Sequence, residues 1–216
     1  MARIDAPRLN GLGVAFFNKI VLDTPQLAQL ISRTSAFKVL ETAHVAFEVD
    51  GAAVKLSSEI SGYAGLNVKI SCGGLHEELS SLQQVFTSCL PPLSTSTSED
   101  LYIYDNMHPD WPDYIEDTLL ELLRPFTAVK NLYLLKEIVS CIAPALQGLI
   151  GDRTTEVLPA LENIFLEGLQ PQGPDQKGIR MFIAARQLSD HPVTAFPLSE
   201  QERYMQMRNW DLEFDE

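Results

Sequence analysis

Positive charge is what this 216-residue chain has least of: 16 Lys and Arg stand against 29 Asp and Glu, a formal net charge of −13. A nucleic-acid surface needs a basic stripe, so that class is set aside. Acidity keeps a chain soluble and steers basic partners towards it. Cysteine is scarcer still. Cys72, Cys89 and Cys141 leave one unpaired in any full disulfide scheme, and none lies within two residues of another, so zinc-type spacing is missing. Each sits in or beside an apolar segment, where a free thiol behaves as a small hydrophobe. Reduced thiols point to a cytoplasmic or nuclear protein. Long apolar runs are missing too. Gly11 to Phe17 is followed at once by Asn18 and Lys19, with no small-x-small cleavage signature behind it, and no stretch reaches membrane-span length. The expectation is a chain that is neither secreted nor membrane-bound.

Signatures of chemistry are equally thin. Gly11-x-Gly13 has no third glycine at the dinucleotide offset, and neither a phosphate-binding Gly-x-x-x-x-Gly-Lys nor a Gly-x-Ser-x-Gly elbow occurs. His44, His76, His108 and His191 are scattered, with no His-x-x-x-His pair. The acidic run Asp105, Asp110, Asp113, Glu116 and Asp117 lacks the alternating ligands and central glycine of a calcium loop. It reads as a solvated loop and first helical turn, where carboxylates suit the helix dipole. No base stands near a Ser or Cys nucleophile in sequence. No catalytic, cofactor-binding or metal-binding residue is assigned, and a non-enzymatic role is expected.

What is present is repetition. Phe126-x-x-Val129-x-x-Leu132-x-Leu134 recurs 32 residues later as Leu158-x-x-Leu161-x-x-Ile164-x-Leu166. Both copies place an asparagine (Asn131, Asn163) before a short apolar ladder with an aromatic (Tyr133, Phe165) at its centre. Self-similarity at a fixed period is the mark of stacked repeats, and this frame is that of a leucine-rich repeat. It fits Phe17-Ile20-Leu22, and Val45-Phe47, Val68-Ile70 and Leu101-Ile103 carry its core. Measured between Ile20, Val45, Val68, Leu101, Leu132 and Ile164, the spacings are 25, 23, 33, 31 and 32.

Helical stripes lie between the ladders. Thr24 caps a helix with Pro25 at its first position and Leu27, Leu30 and Ile31 on one face. Leu79, Leu82, Val85, Phe86 and Cys89 form a second stripe, ended by Pro91 and Pro92. Trp111, Ile115, Leu119 and Leu122 define a third stripe, in a helix started by Asp110 and Pro112. Ser140 is placed to cap a helix carrying Ile142, Leu146 and Leu149 that ends near Gly151, and Asp175 to begin one with Ile179, Phe182 and Ile183. The segment Ala52–Ser58 alternates with period two and reads as a hairpin return, and Pro192–Phe196 as a last strand. Strand and helix in alternation imply a parallel sheet with crossovers. The expected fold is α/β: an irregular leucine-rich-repeat-like solenoid with a parallel sheet and flanking helices. Residues 1–198 form one domain, residues 199–216 an acidic C-terminal tail, and the six ladders lie side by side in chain order.

Residues between the inward-facing pair of each ladder point to the opposite face. That open face would carry Val21, Asp23, Glu48, Lys69, Ser71, Tyr102, Tyr104, Tyr133, Leu135, Phe165 and Glu167. Tyr102, Tyr104, Tyr133 and Phe165 fall on three adjacent strands and are the candidate protein-binding patch, since rings supply large contact area at interfaces. The competing reading is cross-strand packing that only stabilises the sheet.

Four phrases carry a family resemblance: Phe16–Thr34, Glu121–Leu134, Ile142–Gly168 and Ala185–Val193. They resemble the carboxy-terminal region of F-box domain-containing proteins of mushroom-forming fungi, over about residues 2–193. The resemblance implies repeat units that present a substrate-binding surface to an unknown protein. An amino-terminal F-box would bind a Skp1-type adaptor of a cullin-based ubiquitin ligase. Here Met1 leads directly into a stretch that resembles the family's interior, so the adaptor is expected only if an F-box lies upstream. Neither nucleic acid nor membrane is expected as a partner. The function expected is a protein-interaction module, the substrate-recognition part of an F-box-type ligase adaptor. Its rivals are a fragment with no independent activity, and an α/β enzyme with its site at a reversal of strand order.

Overall fold

The ladders and stripes fold as strands and helices in turn. The computed structural model describes residues 11–17, 25–37, 40–48, 51–58, 65–71, 74–90, 97–105, 115–167 and 174–199. Its strands are β1 (Gly11–Phe17), β2 (Thr42–Glu48), β3 (Gly51–Ser57), β4 (Gly65–Ser71), β5 (Asp100–Asp105), β6 (Asn131–Leu134), β7 (Asn163–Glu167) and β8 (Thr194–Leu198). Its helices are α1 (Pro25–Arg33), α2 (Leu75–Gln84, continued by a π turn over Val85–Cys89), α3 (Glu116–Leu123), α4 (Lys136–Gln147) and α5 (Pro174–Leu188). All eight strands join one sheet in the order β1-β4-β3-β2-β5-β6-β7-β8. Only β3 is antiparallel to its neighbours.

From β2 rightwards, through β5 to β8, the parallel strands follow chain order. To the left of β2 they do not, which corrects the expectation of six ladders in simple succession. The hairpin return at β3 is the cause. Ala52, Ala53, Val54 and Leu56 are buried, so both faces of β3 are covered and it sits inside the sheet with a partner on each side. Gly51 opens this strand with φ 154°, and a Cβ there would run into the Ile70 carbonyl of β4. β4 therefore lies beyond β3, and β1 is left to pair with β4. The frame around Phe17-Ile20-Leu22, with Val21 and Asp23, falls outside the described residues apart from Phe17, which ends β1.

The helical connections, β1 to β2, β4 to β5 and each of those from β5 to β8, run in one direction along the sheet. Right-handed crossovers of one direction place their helices on one face. The core agrees: Val45, Val68, Leu101, Leu132 and Ile164 pack in the same cluster as Leu79, Leu119, Ile142 and Ile179. The strand-order change within the sheet is made by antiparallel hairpins, and no crossover runs back to open a crevice of the doubly wound kind.

Within the described residues the helix stripes match expectation with shifts at the ends; Thr24, Pro91, Pro92, Asp110, Trp111 and Pro112 lie outside the described residues. α4 begins at Lys136, straight after Leu135, and Ser140 lies exposed within it instead of capping it. Burial decides this, since Ile138 and Val139 join the core and must already be helical. α5 begins at Pro174, one residue before Asp175, and packs so closely on α4 that a Cβ on Gly178 would stand 2.6 Å from the Ala143 carbonyl.

Two devices set the register. One backbone carbonyl ahead of β2, β5, β6 and β7 accepts from the next strand's segment: Glu41 from Glu99 and Asp100, Glu99 from Lys130 and Asn131, Lys130 from Glu162 and Asn163, and Glu162 from Thr194. The second is Arg186 of α5, fully buried, whose Nη1 donates to Thr154 (3.0 Å) and whose Nη2 donates to Leu158 (3.3 Å), Pro159 (3.4 Å) and Leu161 (3.0 Å) carbonyls. Leu158 holds φ 48°, and the guanidinium pins that strained turn ahead of β7. At the right edge of the sheet, Thr194 donates to Glu162, so it faces β7. By alternation Pro197 faces away from β7, towards the edge, where its missing N–H leaves no ladder bond unmade.

Candidate functional site

The frame x-apolar-ring-apolar puts one side chain per strand on the face opposite the described helices, and the in-register pairing brings these into a line. His44 of β2 is opposite Tyr102 of β5, Tyr102 opposite Tyr133 of β6, Tyr133 opposite Phe165 of β7, and Phe165 opposite Phe196 of β8. Their centroids are 4.5, 4.1, 4.5 and 5.3 Å apart in that order, with interplanar angles of 10°, 13°, 9° and 23°. Such spacing is that of stacked rings. Because the stacking direction runs across the strands, ring faces cover one another. What the row presents outwards is ring edges and the tyrosine hydroxyls.

A polar row runs beside it, at the first residue of each strand. Asn163 Nδ2 donates to Asn131 Oδ1 at 2.8 Å, and Asn131 Nδ2 donates to Asp100 Oδ1 at 2.8 Å. These residues are 32 and 31 apart in sequence, which is the repeat period. The Tyr133 hydroxyl reaches Asp100 Oδ1 at 3.4 Å and ties the two rows together.

Burial and neighbours tune the titratable members. Burial, then the adjacent Tyr133 and Asp100, pushes the Tyr102 phenol well above its ordinary value, and burial does the same for Tyr104. Both hydroxyls therefore stay protonated and able to donate. His44 is pulled down to about 3 by burial and by the Lys55 charge. It is neutral at physiological pH, with Nδ1 3.0 Å from the Tyr104 hydroxyl.

Of the four predicted patch residues, Tyr102, Tyr133 and Phe165 lie in the row. Tyr104 lies one step along β5, 3% exposed, in a small apolar cluster with Ala46, Ala53 and Leu135. Its ring is enclosed by these neighbours and does not join the row. Of the other residues expected on this face, Glu48 and Lys69 pair with each other at 2.8 Å.

Two members of the row were not singled out from sequence. Phe196 is preceded by Ala195 and followed by Pro197, so its apolar frame is blurred; His44 sits between Ala43 and Val45, and only the pairing of β2 with β5 reveals its place. Phe196 is 39% exposed, the open end of the stack.

A separate titratable group lies on the helix side. Glu78 of α2 is fully buried, and burial, then the charges of Asp105 and Glu48, pushes its carboxyl up to about 8. Among the described residues, no group of three or more His, Cys, Asp or Glu side chains is arranged to hold a metal ion. No described helix is long and apolar enough to cross a membrane. No family model matches the chain, and neither a curated protein nor a solved structure matches it.

Proposed function

We propose that this chain is a leucine-rich-repeat-like protein-interaction module, and that its working surface is the sheet face over β5 to β8 opposite the described helices. The observation that carries this reading is the five-residue ring row with the Asp100–Asn131–Asn163 row beside it. Ring edges supply apolar contact, and fixed hydroxyl and amide groups supply direction. Solenoid proteins use such an uninterrupted sheet face for recognition. The resemblance to fungal F-box proteins extends the reading: the module would select the substrate of a ubiquitin ligase, with binding as its whole mechanism.

Because the rings stack, the informative variants keep the stack and alter what it shows. Tyr102→Phe with Tyr133→Phe removes two hydroxyls, and Phe196→Ser opens the exposed end. Used as bait in lysate of a mushroom-forming fungus, the native chain is expected to retain a protein that both variants lose, while Gln147→Glu on an exposed helix position retains it. Equal recovery by all four baits, with unchanged melting curves, discards the face as the binding surface.

A further inference from the structure

The two ends of the sheet are built differently. β8 ends it on the right with Pro197 turned outward. Among the described strands β1 ends it on the left, and its seven residues, Gly-Leu-Gly-Val-Ala-Phe-Phe, include neither a proline nor a charge. Within β1 the usual devices against strand addition are therefore missing. Which of its backbone groups point outward follows from the seam between β3 and β4. The carbonyls of Leu56 and Ile70 lie in that seam, since a Cβ on Gly65 or Gly51 would run into them. Leu66, Val68 and Ile70 thus direct their backbone groups to β3, and Asn67 and Lys69 direct theirs to β1. Asn67 stands opposite Gly13 and Lys69 opposite Ala15. In a parallel ladder each bonds the residues flanking its opposite, here Leu12, Val14 and Phe16. The N–H and C=O of Gly11, Gly13 and Ala15 are left to point away from the sheet, and all three residues are exposed.

We propose that a second copy of this chain takes this edge, β1 pairing with β1 in antiparallel sense about a two-fold axis. Shape supports it. Gly11, Gly13 and Ala15 put at most a methyl group on the open face, and a Cβ on Gly13 would meet nothing within 4 Å, so two such backbones approach without side chains colliding. On the other face Leu12 and Phe16 pack against the main core yet stay partly exposed. The joint sets them against the same residues of the second copy and prolongs the core across the axis. Charge supports it as well. The chain as a whole, at −13, repels its own copy. β1, β3 and β4, however, carry Lys55 and Lys69 and no acid, so the left end is where two acidic copies meet at least cost. Closure follows from the other end. The joint consumes β1 of both copies and leaves a strand with an outward proline at each end, so assembly stops at two. The ring row takes no part, and the inference stands apart from the function proposed for it.

The test is mass in solution, by sedimentation of the full chain at micromolar concentration. Ala15→Pro removes one outward amide and none of the bonds to β4. Gly13→Lys sets like charges against each other across the axis, because each copy brings its own. Leu188→Glu alters the most exposed apolar side chain of the helix layer, 91% exposed, and serves as control. The native chain and Leu188→Glu are expected at twice the mass of one chain, and the two β1 variants at the mass of one, with native circular dichroism. A native chain of single mass overturns the proposal. So does a dimer that survives both β1 variants, or one that Leu188→Glu dissociates, which means a joint through the helices. Should both β1 variants fail to fold, hydrogen exchange on the native chain decides. In a chain of dimeric mass the amides of Gly13 and Ala15 should exchange about a hundredfold slower than in a peptide of residues 11–17; exchange equal to the peptide's overturns the proposal.

Discussion

A buried guanidinium is costly unless its donors are met, and Arg186 meets those of Nη1 and Nη2 with backbone carbonyls ahead of β7, while its Nε is buried without a partner. Burial lowers its pKa without threatening its charge. Arg186→Met keeps the stem and strands four acceptors, so a loss of roughly 3 kcal/mol is expected in a denaturant melt. Arg186→Lys, a point donor, should recover little of it. The titrating pair His44 and Glu78 acts in opposite senses. His44 is held at about 3 in the folded chain, against 6.5 unfolded, so the unfolded chain binds the extra proton and stability is lost as pH falls from 6.5 towards 3. Glu78 is held at about 8 against 4.5, so the folded chain keeps a proton that the unfolded one has released, and stability declines as pH rises from 4.5 towards 8. The two slopes oppose one another between 4.5 and 6.5. Melting temperature against pH should therefore lose its alkaline fall in Glu78→Gln and part of its acid fall in His44→Phe. Parallel curves for native and variant chains would remove both assignments.

Among the elements, the ring row makes a graded prediction. Tyr133 is stacked on both sides and Phe196 on one, and each aromatic pair adds about 0.5–1.5 kcal/mol beyond burial. Tyr133→Ala should thus lower the melting temperature more than Phe196→Ala, with Tyr133→Phe close to native. Equal losses from the two alanines would mean that the rings act independently. The row was half legible in the sequence. β6 and β7 announce themselves because asparagine, apolar residue, ring and apolar residue recur in phase, and the same order places Tyr102. Phe196 is hidden because alanine and proline flank it, and His44 because Ala43 before it is a weak ladder signal and a histidine does not announce a ring row. The burial of Tyr104 was not legible for the converse reason. Alternation gives the face of a strand but not what covers it, and Leu135 with Ala46 and Ala53 encloses that ring.

For the whole molecule, the right half was readable and the left half was not. From β5 to β8 every connection is a helical crossover to the adjacent strand, so those strands lie in chain order. On the left, period-two alternation identified β3 as a return but said nothing of its second partner, and that one pairing with β4 moves β1 to the far edge. Register across the right half is transmitted by the carbonyls of Glu41, Glu99, Lys130 and Glu162, so a residue inserted between Asn131 and Leu134 should disturb the units on both sides. An insertion after Gln147, in an exposed turn, should be absorbed. Thermal melts of the two insertions should differ sharply, and equal melts would refute the account.

Pro197 has a bearing on crowding in solution. Among the described strands β8 is the right-hand border, an edge that invites strands from other molecules, and one imino acid set outward within it interrupts the rungs they would climb. Pro197→Val restores an amide there, and light scattering of the variant should rise with concentration where the native chain stays flat.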